Sequence, residues 1–396
     1  MTMTAVMGTG RAPTDVMAGT IADVEVFDSL GAAEAVWRAM ETPDHRLTPF
    51  QRFDFVSAWH SHIGLREGVR PFIVVACDAR RRPLVLLPLC IASESGVRVA
   101  RFFGGKHATF NMAVMAREFA ADAGKPDVET LMDLLRRHPD RPDLMALDRQ
   151  PLRWRDVANP LALLPMQPSI NACPLLTLTP GAPPTERISK SFRQRLRGKE
   201  RKYASLPGYR YLLAQTDAEI AHVLDAFFIL KPQRMAAAGL PNVFADPGTR
   251  EFVVEACLAL RPDGGRVIEI HALQCDDEVI AIFAGVADGH RFSMMFNTYT
   301  LSENARYSPG LILLRHIIDS YAERGYTAID LGIGSDEYKR LFCKDDEAIF
   351  DSFLPLTARG SLAALGLSSL AHAKRFVKRT PALAHIAQAL RGALHG

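Results

Sequence analysis

The chain has 396 residues, 48% of them apolar and 23% charged, with a formal net charge of +3. That length exceeds one ordinary domain, and the composition is that of a globular protein rather than a disordered or fibrous one. No run of 18 apolar residues occurs, which excludes a membrane-spanning helix, and so small a net charge favours no class of partner.

The first 20 residues are rich in Thr, Met, Ala and Gly and lack an apolar h-region, so they are expected to be a disordered lead-in rather than a signal peptide. Helical patterning follows in "AEAVWRAM" and "PFQRFDFVSAWHSHI". The stretch "PFIVVACDARRRPLVLLPLCIASESGVRVARFF", 71–103, reads as three strands separated by polar turns, an antiparallel meander. A helix ("DVETLMDLLRRH") and a strand ("DLMALD") come next. From Pro151 to Pro184 there are eight prolines, which marks a connector, although "PLLTLT" within it is a strand. From Arg187 to Lys202 there are eight basic residues and one acid, with Ile188, Phe192 and Leu196 at i, i+4, i+8, so this is a basic amphipathic helix. The first half's order then recurs. Two helices ("DAEIAHVLDAFFILKPQRMAAAG", "TREFVVEACLAL") precede a second meander over 266–296, followed by the helix "GLILLRHIIDSYAERG" and the strand "TAIDLGI". An offset of this size is a duplicated domain rather than a solenoid unit. The expected division is a lead-in over 1–20, a first domain over 21–180, a second over 181–360 and a basic helical tail over 361–396.

Helix, helix, three-stranded meander, helix, strand is the order of the GNAT acyltransferase core. The chain most resembles the CelD/BcsL (cellulose-biosynthesis-associated) branch, related to the FemABX peptidyltransferases. The resemblance covers about 45–357 and rests on "YSPGLILLRHIIDSYAERGYTAIDLGIGSDEYKRLF", the basic helix "KSFRQRLRGKERK" and the tandem meanders. It implies an α+β fold of two tandem GNAT-like domains, each a mostly antiparallel sheet flanked by helices, with a C-terminal helical tail. It also implies an acyl-CoA co-substrate. By analogy alone, the acceptor is a small amine, an amino sugar or an envelope or exopolysaccharide precursor. Two alternatives stand beside acyl-CoA-dependent N- or O-acyl transfer: a non-catalytic partner of a polysaccharide-synthesis machine, and FemABX-like aminoacyl transfer. Against the last, no long heptad stretch provides that subgroup's coiled-coil arm.

The residues support a donor site in the second half. Ser308 is placed to cap a helix, Pro309 suits its first position and Gly310 removes a side chain at its second, so the amides of 307–311 form a site for a pyrophosphate. Arg306, Tyr307, Ser308, Pro309, Gly310 and Leu311 are therefore the donor-binding candidates. Asn297 and Tyr299 join them because they end the third meander strand, where a GNAT sheet splays to admit the thioester. The plainer reading of Ser-Pro-Gly is a good helix start. Only Arg306 and Gly310 match the family's longer Gly-rich loop. In the first half, Asp127 and Glu129 set negative charge at the corresponding helix start, which opposes an anion. The first domain then closes the acceptor cleft, and the turn Gly104–His107 either faces that cleft or is a plain flexible loop.

Past the strand "TAIDLGI" the chain delivers Asp336, Tyr338 and Lys339. Acyl transfer needs a group to take a proton from the acceptor and one to return a proton to the leaving thiolate. Asp336 is assigned as base or acceptor anchor, Tyr338 as proton donor, and Lys339 as a contact to donor or acceptor charge. Against this stands a cap role for Asp336 on "EYKRLF" and a packing role for Tyr338. Glu269 and His271 share one strand face and read either as an acid/base pair in the cleft or, the plainer reading, as structural polar-face residues. The six cysteines lack a CxxC pair and are read as reduced, intracellular thiols with no zinc site, so no metal is expected. The tail, 361–396, has five basic residues and no acid. It either packs on the domain or makes peripheral contact with an anionic membrane. No nucleic-acid-binding signature is present. The expected location is the cytoplasm, peripheral to the inner face of the membrane if the tail attaches there. Acceptor identity, acyl length and oligomeric state are not legible.

Overall fold

The computed structural model describes residues 19–334 and 336–379. The lead-in, apart from Gly19 and Thr20, and the last 17 residues of the basic tail, 380–396, lie outside them. The first half runs β1 (Asp23–Phe27), α1 (Leu30–Ala39), α2 (Phe53–Trp59), β2 (Arg70–Cys77), β3 (Pro83–Glu94), β4 (Val97–Phe102), α3 (Lys125–Arg137) and β5 (Leu144–Pro151). The connector supplies β6 (Gln167–Pro168) and β7 (Cys173–Thr177). The second half runs α4 (Lys190–Glu200), β8 (Arg210–Ala214), α5 (Asp217–Ala237), α6 (Thr249–Leu258), β9 (Glu269–Gln274), β10 (Val279–Ala287), β11 (Arg291–Tyr299), α7 (Pro309–Glu323), β12 (Ala328–Asp330), β13 (Asp345–Glu347), β14 (Ile349–Pro355) and α8 (Ala358–Arg379).

Both expected meanders are present, β2–β3–β4 and β9–β10–β11, in the mixed α+β arrangement the element order implies. The sheets do not divide at 180, however. The first has the order β1-β2-β3-β4-β5-β14-β6, and the second β8-β9-β10-β11-β12-β7-β13. The connector strand β7 lies antiparallel between β12 and β13, with Leu176 opposite Ile329 and Pro174 opposite Asp346. In exchange β14 completes the first sheet, with Phe350 opposite Gln150. Each half thus closes its sheet with a strand from across the boundary. The halves also share a core: the Phe55 ring on α2 meets Phe252 on α6 edge to face at 5.4 Å.

Local chemistry sets the element ends that matter for the site. Thr216 and Glu219 form a capping box at the head of α5, with the Glu219 N–H donating to Thr216 Oγ1 at 3.2 Å and the Thr216 N–H to Glu219 Oε2 at 3.1 Å. Helix α7 starts with Pro309 at its first position. It stops at Gly325, whose φ of +80° is left-handed, where the Tyr326 N–H bonds Tyr321 O at 3.0 Å and the Gly325 N–H bonds Ala322 O at 3.1 Å. Its face of Ile312, Leu313, Leu314, Ile317, Ile318 and Tyr321 is fully buried on the second sheet.

Candidate active site

Strand β11 pairs with β10 along its whole length but with β12 only from Arg291 to Ser293, in parallel. Beyond that point the two strands separate. A register shift at Gly285 leaves Met295 as an extra residue in β11, a bulge that adds local twist where the gap begins. The gap opens into a cleft of about 1160 Å³ between the sheets. Met294 to Tyr299 and Leu331 to Ile333 form one side, and Gly105–His107, Asp148 and Arg149 face them from the first half.

The structure gathers Asn297, Tyr299, Asp336, Tyr338 and Lys339 in this cleft. Asn297 Nδ2 donates to the Tyr338 phenol oxygen at 3.0 Å. Burial raises the Tyr338 pKa, so the phenol stays protonated at neutral pH, and its own O–H is directed at the weak acceptor Met294 Sδ at 4.0 Å. Asp336 precedes the short turn Glu337–Leu341, yet its side chain makes no capping bond to it. It is instead 64% exposed and 3.3 Å from Lys339 Nζ. The Lys339 ammonium is buried, and the carbonyls of Gly332 (3.2 Å) and Ile333 (3.3 Å) also accept from it. Its charge is thus taken up by its own loop, where the sequence reading had aimed it at a substrate; it fixes the loop that carries Asp336 and Tyr338.

The head of α7 lies next to the cleft rather than in its wall. A Cβ on Gly310 would sit 3.7 Å from Tyr299 Cδ1, so the cleft residue Tyr299 connects the two. Ser308 does not cap with its side chain; it adopts φ +60°, ψ +54°, and its Oγ accepts from Lys199 Nζ on α4 at 2.7 Å. Of the amides counted from sequence, those of Ser308 and Leu311 bond Ala305 O and Ser308 O at 3.1 Å, and Pro309 has none. The Gly310 N–H and the Lys199 ammonium therefore carry the anion-attracting character of this helix end. Arg306 points away, 3.7 Å from Glu303 and over the Tyr307 ring, and Tyr307 packs edge-on against Tyr203. Helix α4 is held there by Arg193 on Asp319 (2.9 Å) and by Glu200, which meets Arg315 (2.7 Å) and His316 (2.5 Å). Burial works to raise the Glu200 pKa, but the His316 hydrogen bond and the Arg315 charge hold it at about 2. Part of the helix's basic face is thus structural, while Arg195, Arg197, Arg201 and Lys202 are exposed.

Sequence reasoning missed two residues on α5. Lys231 Nζ donates to Asn297 O at 2.9 Å, and burial together with neighbouring Arg234 lowers its pKa. The Arg234 guanidinium lies over the Tyr299 ring, 3.3 Å from its centroid. The available signal was Pro232 inside the helix, with Lys231 before it and Arg234 after it. On the opposite wall Arg149, itself at φ +55°, pins the 104–109 turn by donating to Gly105 O (2.6 Å) and Ala108 O (2.5 Å). The His107 imidazole accepts from the Trp59 indole at 3.2 Å, and burial lowers its pKa to about 4. Glu269 and His271 do not reach the cleft. They are buried beneath α7, where the Tyr321 hydroxyl meets both, Glu269 at 2.8 Å and His271 at 3.0 Å. Asp330 is fully buried at the last β11–β12 pairing, bonded by Ser293 Oγ and the Gly332 N–H. The six cysteines are free thiols, five of them buried. Among the described residues no cluster of His, Cys, Asp or Glu is arranged to hold a metal ion.

This architecture has relatives. Residues 190–340 match the family model described as an acetyltransferase (GNAT) domain. The C-terminal domain of a lysylphosphatidylglycerol synthetase from Agrobacterium fabrum superposes with a TM-score of 0.51 at 10% identity, over 86% of this chain and 98% of that one. FemX superposes with a TM-score of 0.52 at 9% identity, over 78% and 96% of the two chains. A conserved protein of unknown function from Bacteroides thetaiotaomicron gives 0.51 at 12% identity, over 84% and 99%. A search of curated proteins gives no match. Residues 190–340 are therefore similar to a GNAT acetyltransferase domain, and the chain as a whole shares the fold of these solved structures.

Proposed function

We propose that the protein is an acyl-CoA-dependent N- or O-acyltransferase of the CelD/BcsL type, whose acceptor enters the cleft between the sheets. The observation that carries this reading is the gap between β11 and β12. It opens beside Asn297, Tyr338 and Asp336 at one end, and Tyr299 leads from it to the Gly310 N–H and Lys199 at the other. The donor's pantetheine arm would run through the gap with its pyrophosphate at the head of α7. The acceptor nitrogen or oxygen attacks the thioester carbonyl and the carbon–sulfur bond breaks. Asp336 takes the acceptor's proton, Tyr338 supplies one to the departing thiolate, and solvent restores both groups. Lys231 and Arg234 offer positive charge to the acceptor, which favours an anionic amine, amino sugar or envelope precursor such as one for exopolysaccharide.

A second reading, aminoacyl transfer from tRNA, draws on the exposed cations of α4 at the mouth of the donor path. Calorimetry with acetyl-CoA and longer acyl-CoAs separates the two. The proposal expects binding that Lys199→Ala weakens about tenfold, the loss of one charge-assisted contact. A folded protein that binds no acyl-CoA refutes it.

A further inference from the structure

Helix α8 has two apolar faces, and the fold uses one. Its inner face, with Ala364 and Leu367, packs on Val99, Leu144, Ala146 and Phe353 of the first sheet. Thr357, at its head, donates to Asp143 Oδ1 at 2.6 Å, and Gly360 lies so close that a Cβ there would be 1.7 Å from Asp143 O. The outer face holds Leu362 (75% exposed) and Leu365 (67%), with Leu370 (49%) at its border. At 3.6 residues per turn these positions form one stripe. Arg359 and Lys374 lie along one flank of it, both exposed. After Asp351 the sequence contains no acid through residue 396.

We infer that this outer face of α8 docks on an anionic lipid surface, lying in its plane with the leucines in the acyl boundary and the cations against the headgroups. Among the described residues no helix is long and apolar enough to cross a membrane, so the contact is peripheral. A second copy of the chain fits the face less well: α8 has no carboxylate to meet the cations of a twin helix, whereas anionic headgroups suit Arg359 and Lys374. The docking also has a consequence for the cleft. Ser368 donates to Gln167 Oε1 at 2.7 Å, Arg375 to Pro168 O at 3.0 Å, and Lys378 to Asn171 Oδ1. The same segment lines the cleft with Ser169, Ile170 and Asn171, so a membrane-bound α8 sets the cleft rim beside the lipid surface. This inference stands on α8 and is independent of the proposed donor.

The test is co-sedimentation of the full chain with vesicles of equal parts phosphatidylglycerol and phosphatidylcholine, and with phosphatidylcholine alone, at low and high salt. Removal of α8 would strip the first sheet of its cover, so point changes on the exposed face are used, with thermal melting confirming the fold. The expected result is pelleting with the anionic vesicles alone, reversed by salt. Arg359→Gln with Lys374→Gln should weaken it about thirtyfold, and Leu362→Asp with Leu365→Asp should abolish it. The inference is overturned if the wild-type chain fails to pellet with anionic vesicles, or if the folded leucine variant pellets as wild type. It is equally overturned if sedimentation velocity finds a dimer that the leucine variant dissociates while vesicle binding is unchanged.

Discussion

Asp336→Asn separates chemistry from scaffolding. In the folded chain the Asp336 side chain is 64% exposed, caps nothing, and has the buried Lys339 ammonium as its ionic partner at 3.3 Å. Exposed ion pairs contribute about 0.2–1 kcal/mol. Lys339 keeps two carbonyl acceptors in the variant, and Asn retains an oxygen of the same reach. The change in stability should therefore stay at or below about 1 kcal/mol. An amide accepts no proton, so the loss as general base should be about 10²-fold or more, at least about 2.7 kcal/mol on the barrier. The assay is thiol release from acetyl-CoA with an accepted amine or hydroxyl, alongside urea unfolding of the same preparation. Full turnover in a folded Asp336→Asn protein would end the catalytic assignment. A stability loss well above 1 kcal/mol would show instead that the residue holds the loop together.

Two further outcomes are expected. Burial raises the Asp330 pKa from 3.8 to about 6, so the folded state binds an extra proton between those values. Stability should then fall as pH rises through that window, by about 3 kcal/mol at most, and stay reduced above it. Urea midpoints at either end should show this slope in the wild type and not in Asp330→Asn; equal slopes would remove Asp330 as the cause. Lys231→Met combined with Arg234→Gln should raise KM for an anionic acceptor at least about tenfold while leaving acetyl-CoA affinity unchanged, since each charge-assisted contact contributes about 1.5 kcal/mol or more. Steady-state kinetics with charged and neutral acceptors decides it, and an unaltered KM would place the acceptor's charge elsewhere.

What the sequence determined by itself was local. Alternation and turn residues marked both meanders, and helical spacing marked α4 and α7. Pro309 and Gly325 bounded α7 because each acts through its own backbone geometry. The cluster Asp336–Tyr338–Lys339 was legible because it follows a short apolar strand directly. Tertiary structure decided the rest. Nothing near β14 signals that Phe350 lies opposite Gln150, or that β7 in the proline-rich connector enters the second sheet, because pairing partners so distant in sequence leave no local periodicity. Ser308 read as a cap by residue type, yet only packing of α4 on α7 brings Lys199 to its hydroxyl. In the sequence Lys231 and Arg234 are two cations within a helical segment and nothing more. They became cleft residues only when α5 was laid beside the end of β11, where Asn297 and Tyr299 receive them.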